Sequence, residues 1–263
     1  MTKAAAPAEA LAGHAILITR PRHQSGNLAD LIRRSGGEPI LFPTLEIEPV
    51  DPTPAMRAVL ERLPEFDMAV FVSANAVQHA MPLIRGLGGW PHGLQAAAVG
   101  QGTARELRAQ GVADVLLPGE GADSEALLAR PELQAVSGQR IVIFRGVGGR
   151  ELLADTLRGR GADVVYIECY RRRRPAADPG PLRDRVAHGA LDFVVSASTE
   201  SLRNLLDMVG SELVTKLAAL PLFVVHQNIA EAARCLGFSR VVVTEASDQG
   251  VVSGIIAFLS QPA

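Results

Sequence analysis

The sequence predicts an α/β fold: two similar domains with largely parallel sheets. Three observations predict it. Short β-branched runs alternate with longer stretches of helical period. Those runs are apolar at both odd and even positions, as in strands covered on both faces. The same segments then recur in the same order about 125 residues later.

The first strand candidates are Ala15 to Thr19, Met68 to Ser73, Ala96 to Gly100 and Asp114 to Leu117. A second set follows at Arg140 to Phe144, Asp163 to Ile167, Asp192 to Ser196, Leu222 to Val225 and Arg240 to Thr244. Helical segments lie between them at Leu28 to Arg34, Ala104 to Ala109, Arg150 to Arg158, Glu200 to Met208 and Ile229 to Leu236. In the last of these, Ile229, Ala232, Ala233 and Leu236 recur at i, i+3, i+4 and i+7, which predicts one buried stripe. Strand followed by helix, repeated, is the pattern of a parallel sheet.

The two sets superimpose. ILITR from Ile16 matches IVIFR from Ile141, an offset of 125, and LADLIRRSGGEP from Leu28 resembles LADTLRGRGADV from Leu153 at the same offset. FVSANAV from Phe71 matches VVSASTE from Val194, and AVGQGTARELRAQG from Ala98 matches VVHQNIAEAARCLG from Val224. VLLPGEGADSEAL from Val115 matches VVVTEASDQGVV from Val241. A period this long is no solenoid; it predicts two domains from a duplicated unit. Pro-rich crossings at equivalent places, Leu41 to Pro49 and Tyr166 to Pro175, read as the inter-domain connections.

Composition bounds the function. With 263 residues, 48% apolar and 21% charged, the chain is an ordinary globular protein of one or two domains. A formal charge of −2 argues against a general binder of nucleic acid or anionic membranes. Aromatics at 4% leave no base-stacking platform. Cys169 and Cys235 form neither a metal-ligand spacing nor a disulfide framework, which fits a reducing compartment. No apolar run reaches about 18 residues. Residues 1 to 13 are Ala-rich without a signal-peptide core, and they read as a floppy N-terminus of a cytoplasmic protein.

In open α/β sheets, ligands bind beyond the carboxyl ends of the strands, where helix starts converge. Several such turns carry short polar residues: Ser73-Ala74-Asn75, Gly100-Gln101-Gly102-Thr103, Gly146-Val147-Gly148-Gly149, Ser196-Ala197-Ser198-Thr199 and Gln227-Asn228. Backbone N–H groups and hydroxyls there suit anionic oxygens. They equally suit plain N-capping. Taken together, and split between two domains, they favour a ligand with several carboxylates or phosphates in an inter-domain cleft.

Other chemistries lack their motifs. Gly146 to Glu151 and Gly100 to Arg105 both miss the third glycine of a dinucleotide fingerprint. The phosphate-loop, zinc-protease, C-x-x-C and nucleophile-elbow patterns do not occur. The six histidines are scattered and read as surface residues, although His226 falls at a strand end. Tyr170 stands out. Period two places Tyr166, Glu168 and Tyr170 on one face and Val165, Ile167 and Cys169 on the other. Its counterpart in the first repeat is Leu45, so a phenol breaks the internal symmetry on a strand expected to border the cleft. A packed tyrosine with a wet hydroxyl is the competing reading. The run Arg171 to Arg174 reads as a solvated edge that blocks strand pairing, with a share in carboxylate binding as the alternative.

These residues together resemble the uroporphyrinogen-III synthase family. Its opening T-R-P stands here as Thr19-Arg20-Pro21, and its S-x-x-[AG]-V turn as Ser73 to Val77. V-G-x-x-T-A stands as Val99 to Ala104, the Leu-Arg-Gly-x-Gly-Gly-Arg-Glu-Leu-Leu stretch as Phe144 to Leu153, and E-C-Y-x-R as Glu168 to Arg172. The match runs from about Ile16 to Leu259.

The resemblance implies two flavodoxin-like three-layer domains joined by a two-strand linker. Their boundaries fall at residues 1–45 plus 173–263 and at 46–172, with the active site in the cleft between them. It implies an enzyme, a cyclising hydro-lyase. The enzyme takes hydroxymethylbilane, a linear tetrapyrrole poly-acid, expels its hydroxyl, inverts the last ring through a spiro intermediate and closes the macrocycle. No cofactor or metal is implied, and no partner beyond the small-molecule substrate of a cytoplasmic monomer. Tyr170 maps to the group that assists hydroxyl departure. Substrate-binding positions are Arg20, Ser73, Ala74, Asn75, Gly100, Gln101, Thr103, Arg145, Gly146, Ser196, Ala197, Ser198, Gln227 and Asn228. Many members carry Ser or Thr where this chain has His226-Gln227-Asn228-Ile229, so Asn228 or backbone N–H groups take over there. Many donors suit a poly-acid, because charge-assisted hydrogen bonds contribute roughly 1.5–3 kcal/mol each. Helix starts add about half a positive charge apiece despite the net charge. Two other classes stay in view: a two-domain module that binds a polyanionic metabolite without chemistry, and a nucleotide-dependent enzyme.

Overall fold

The computed structural model describes residues 9–119, 121 and 123–261. The strands are β1 (Ala15–Ile18), β2 (Glu38–Leu41), β3 (Glu46–Pro49), β4 (Met68–Phe71), β5 (Gln95–Ala98), β6 (Val115–Leu116), β7 (Arg140–Gly146), β8 (Asp163–Arg173), β9 (Phe193–Ser196), β10 (Leu222–Val224) and β11 (Val241–Val243). The α-helices are α1 (Gly26–Arg34), α2 (Pro54–Glu61), α3 (Ala74–Gly86), α4 (Gln101–Ala109), α5 (Ser124–Leu128), α6 (Pro131–Gln134), α7 (Leu152–Gly159), α8 (Gly180–Ala187), α9 (Thr199–Val209), α10 (Ser211–Ala218), α11 (Gln227–Cys235) and α12 (Asp248–Leu259). Every strand and helix expected from periodicity is present, with ends shifted by a few residues. Several helices begin where a side chain accepts the N–H three residues on. Thr53, Ser73, Asp123, Ser198 and Ser247 all cap in this way.

The chain divides into two compact units, Met1–Glu46 with Arg173–Ala263, and Ile47–Arg172. The first holds a sheet of order β11-β10-β9-β1-β2, with every pair parallel. The second holds the order β3-β8-β7-β4-β5-β6. There β8-β7, β7-β4, β4-β5 and β5-β6 are parallel. The neighbours β2-β1-β9-β10-β11 and β8-β7-β4-β5-β6 follow the same pattern, the doubly wound order of flavodoxin-like folds. The second sheet carries β3 as an extra edge.

Alternate strand residues point to opposite faces, and each face is covered by helices. In the first unit Leu17, Val194 and Val224 pack with Leu202, Leu205 and Ile229. Their neighbours Ile16, Ile18, Val195 and Phe223 pack with Leu28, Ile32, Val251 and Ile255 on the other side. In the second unit Ala69, Phe71, Val142 and Phe144 meet Val77, Ala80 and Met81 of α3. Met68, Val70, Ile141 and Ile143 meet Leu127, Leu153 and Leu157. Phe71 and Phe144 stack with centroids 4.6 Å apart. Burying each of the valine, leucine, isoleucine, phenylalanine and methionine side chains among them contributes about 1.5–3 kcal/mol, and with a core on each face of the sheet both units are three-layered.

The structure corrects three expectations. Residues 1–8 of the N-terminal segment lie outside the described residues, but the segment is anchored from residue 9 on. Leu11 is fully buried among Ile16, Leu28 and Ile32, and its N–H donates to the Ser35 carbonyl at 2.8 Å. One leucine in an Ala-rich run is enough, because it fills the gap beside α1. Two histidines are not surface residues. His14 is half-buried against Phe193 and His79 half-buried against Tyr170. The third correction concerns β8. Its register with β7 pairs Arg145 with Glu168 but Gly146 with Tyr170, so Cys169 is one residue too many. This β-bulge interrupts the alternation. Tyr166 packs with Ile143 and Leu153, whereas Tyr170 joins Ile167 and Cys169 against Phe71 and Phe144 on the opposite face. Tyr166 and Tyr170 do not share a face.

Among the described residues no helix is long and apolar enough to cross a membrane. Both cysteines are free thiols, Cys169 buried and Cys235 exposed. Burial pushes the Cys169 thiol up to about 12, and its sulfur sits 3.5 Å from the carbonyls of Ala76 and Arg145. Since only the thiolate is nucleophilic, the native protein is expected to give one fast equivalent with an aromatic disulfide reagent, from Cys235. Cys169 should react only with unfolding. Two fast equivalents in the native state would contradict this placement.

Candidate functional site

The bulge and the carboxyl ends of β4, β5, β7 and β8 converge on one cavity of about 400 Å³ in the unit Ile47–Arg172. Its walls include Val72, Val99, Gly146, Tyr166, Tyr170 and Arg172. Tyr170 is fully buried. Its hydroxyl lies 3.0 Å from Ser73 Oγ and accepts a hydrogen bond from Arg172 Nη2 at 3.2 Å. Ser73 Oγ also accepts the Ala76 N–H at 3.1 Å as the cap of α3. The Arg172 guanidinium stands 5.7 Å from the centre of the Tyr170 ring, within cation–π range, and His79 stacks at 5.8 Å. In place of the wet hydroxyl of the competing reading, the hydroxyl is covered and bonded to Ser73 and to Arg172, the latter itself exposed. Gly146 makes room for the ring, since a Cβ there would stand 2.7 Å from it. That is closer than any side chain tolerates, so only glycine fits opposite the bulge.

The loop after β7 folds around Arg145. This side chain, expected to meet a ligand, is buried and committed to its own loop. Nη1 donates to Glu151 Oε1 at 2.9 Å, Nε to the Gly146 carbonyl at 3.3 Å and Nη2 to the Gly148 carbonyl. The guanidinium also lies 4.5 Å from the centre of the Tyr166 ring. Gly148 and Gly149 have φ of +72° and +108°, and a Cβ at 149 would meet Arg145 at 2.9 Å. The glycines serve this wrap. Glu151 accepts the Tyr166 hydroxyl at 2.7 Å. That bond, then Arg145, holds the Glu151 carboxyl below its ordinary value. Burial first, then Glu151, pushes the Tyr166 phenol up to about 12.

The remaining positions divide between the units. Ala74 and Asn75 are half-buried at the start of α3. Gly100 precedes α4 with no side-chain cap, Gln101 is exposed and Thr103 is buried in the first turn. In the other unit, Arg20 follows β1. Its Nη1 meets Asp248 Oδ1 at 2.5 Å, its Nε is buried without a partner, and Asp248 also accepts from Asn27 at 2.6 Å. Ser196 is buried and donates to the Ser198 carbonyl at 3.3 Å. Ser198 caps α9 and donates to Ser201 Oγ at 2.9 Å, with Ala197 half-buried between the two serines. Ser198 is the cap of α9, whereas the Ser196 hydroxyl caps no helix and turns to the carbonyl of its own loop. Gln227 and Asn228 are exposed at the start of α11, which has no side-chain cap.

Sequence reasoning set Arg172 aside within a solvated arginine run. The signal was present: Tyr170 and Arg172 are two apart on β8, and period two places them side by side. Among the described residues no cluster of three or more His, Cys, Asp or Glu is placed to hold a metal ion.

A family model described as Uroporphyrinogen-III synthase HemD matches residues 26–252. The chain is 33% identical over 235 residues to the uroporphyrinogen-III synthase of Escherichia coli (strain K12), covering 89% of this chain and 96% of that one. It is 33% identical over 207 residues to the enzyme of that name from Synechococcus elongatus, covering 77% of each. In structure it resembles a mutant uroporphyrinogen III synthase from the extremely thermophilic bacterium Thermus thermophilus, with a TM-score of 0.67 at 19% identity, covering 95% of this chain and 100% of that one. The Helicobacter pylori 26695 uroporphyrinogen-III synthetase gives a TM-score of 0.59 at 13% identity, covering 93% and 99%. The last two establish shared fold.

The Tyr166–Glu151 pair makes an alkaline prediction. A phenol raised in the folded state contributes stability fully below its unfolded value of 10 and loses it as pH climbs through about 12. The chain has two tyrosines. In Tyr170→Phe, phenolate absorbance should therefore develop near pH 12, and stability should fall between pH 10 and 12. Absorbance developing at the value of free tyrosine would contradict the assigned pair.

Proposed function

We propose, because the chain belongs to the uroporphyrinogen-III synthase family, that it converts hydroxymethylbilane to uroporphyrinogen III with inversion of the last ring and release of water. In this reading it is a cyclising hydro-lyase, acting as a cytoplasmic monomer. The observation that carries the reading is the family match over residues 26–252, within which the Tyr170 phenol lies at a cavity wall between Ser73 and Arg172.

Tyr170 donates its proton to the departing hydroxyl. The phenolic O–H bond breaks, the carbon–oxygen bond of the hydroxymethyl group breaks, and the electron pair leaves with the oxygen as water. The carbon left electron-poor is attacked by the substituted end of the last pyrrole. In the spiro intermediate the original bond from that position to its bridge carbon then breaks, the bridge carbon bonds to the free end of the same ring, and the proton lost from that end restores the ring's aromaticity and the phenol. The sequence is redox-neutral and balances without a cofactor. Orienting a flexible chain so that its ends meet is the larger task, and such orientation is worth up to about 7–11 kcal/mol.

In this reading Arg20, Ala197, Gln227 and Asn228 of the unit Met1–Glu46 with Arg173–Ala263 offer groups to carboxylates, and so do Ala74, Asn75, Gly100, Gln101 and Thr103 of the unit Ile47–Arg172, each unit taken by itself. Uncapped starts such as those of α4 and α11 leave backbone N–H groups for anions. Ser73 serves the phenol rather than a carboxylate, and Arg145 with Gly146 shapes the loop beside it.

The test is chromatography of porphyrin isomers after incubation with hydroxymethylbilane and oxidation. The inverted isomer should dominate, and Tyr170→Phe should slow its formation by about 10²–10⁴-fold, the usual worth of a positioned proton donor. Formation of the uninverted isomer alone, at the spontaneous rate, would contradict the enzyme reading. Tight tetrapyrrole binding without a change of isomer would favour a binding protein.

A further inference from the structure

We propose that Arg172 is a positioning residue that acts through the Tyr170 phenol, a role that rests on the proton-donor reading above. Four observations converge on it. The Tyr170 ring has no surface open to water. Arg172 Nη2 donates to its hydroxyl at 3.2 Å, and the guanidinium also stands 5.7 Å from the ring centre. Ser73 Oγ lies 3.0 Å from the same hydroxyl while accepting the Ala76 N–H. Gly146 leaves the ring no slack, since even a Cβ would collide with it.

The hydrogen-bond inventory fixes the direction of the Arg172 contact and permits Ser73 to donate as well. A guanidinium only donates, so the phenolic oxygen is an acceptor toward Arg172. Ser73 Oγ has one lone pair taken by Ala76, and its own proton is free to point at the phenolic oxygen. With Arg172 and Ser73 both donating, the phenol keeps its proton for a third direction. When that proton passes to the leaving hydroxyl, the resulting phenolate already has two donors in place, one of them cationic. Pre-placed donors at a developing negative charge are the arrangement that stabilises a transition state without reorganisation.

A direct substrate contact and a role through Tyr170 differ in a double-mutant cycle. The variants are Arg172→Gln, Arg172→Lys, Tyr170→Phe and Arg172→Gln with Tyr170→Phe, each assayed for kcat and KM on hydroxymethylbilane. Loss of one such donor typically costs about 10²–10³ in kcat. Arg172→Gln should lower kcat by that order, with KM changed less, and Arg172→Lys should restore part of it. In the Tyr170→Phe background, Arg172→Gln should cost less than about twofold. A raised KM at unchanged kcat, or losses that multiply in the double variant, would overturn the role through Tyr170 while leaving the synthase reading intact. A wild-type protein that yields only the uninverted isomer would overturn both.

Discussion

The candidate site depends on one extra residue in one strand. Cys169 has no partner position on β7, and the resulting bulge turns Tyr170 across the sheet. Without it, Tyr170 would follow Tyr166 toward Leu153 and α7. With it, the ring lies against Phe71 and Phe144, and the hydroxyl reaches the start of α3. Gly146 must then be glycine, because the displaced ring occupies the space of its Cβ. The buried Cys169 thiol, with its sulfur near the carbonyls of Ala76 and Arg145, fits the same displacement. Bulges recur beside active sites for this reason: they re-aim a side chain that strict pleating would misplace.

The same economy governs the charges. A chain of net charge −2 proposed to bind a poly-acid cannot rely on bulk potential. Nor does its arginine nearest the cavity loop supply a free cation, since Arg145 is enclosed by Glu151 and loop carbonyls. Fixed backbone dipoles and a few exposed guanidinium groups remain. Arg172 belongs to the second kind, exposed and resting on the phenol. Arg20 is intermediate: it is paired with Asp248, yet its Nε is buried without a partner.

The architecture was legible because periodicity reports burial, and burial here is simple. Strands covered on both faces show apolar residues at every position, and Ile16 and Leu17 do point to opposite cores. Leu11 was hidden by its alanine neighbours, since a single anchor has no period. The faces of Tyr166 and Tyr170 were misassigned because a bulge violates the rule by which faces are read. Arg145 comes forward as a ligand contact only through the family-like stretch Phe144 to Leu153. Nothing in a linear pattern says that the loop folds back on the arginine. Ser198 shows the same limit: a hydroxyl at a helix start suits an anion or the helix itself, and only geometry decides.

The central claim is that the Tyr170 phenol is the reacting acid. Fluorinated tyrosine tests it most directly, because Tyr166→Phe leaves position 170 as the chain's remaining tyrosine. Fluorination makes a phenol more acidic while changing its size little. The account predicts that kcat at a fixed neutral pH changes in step with the acidity of the fluorinated phenol, relative to Tyr166→Phe with ordinary tyrosine. Equal kcat across a series of fluorinated proteins would contradict it.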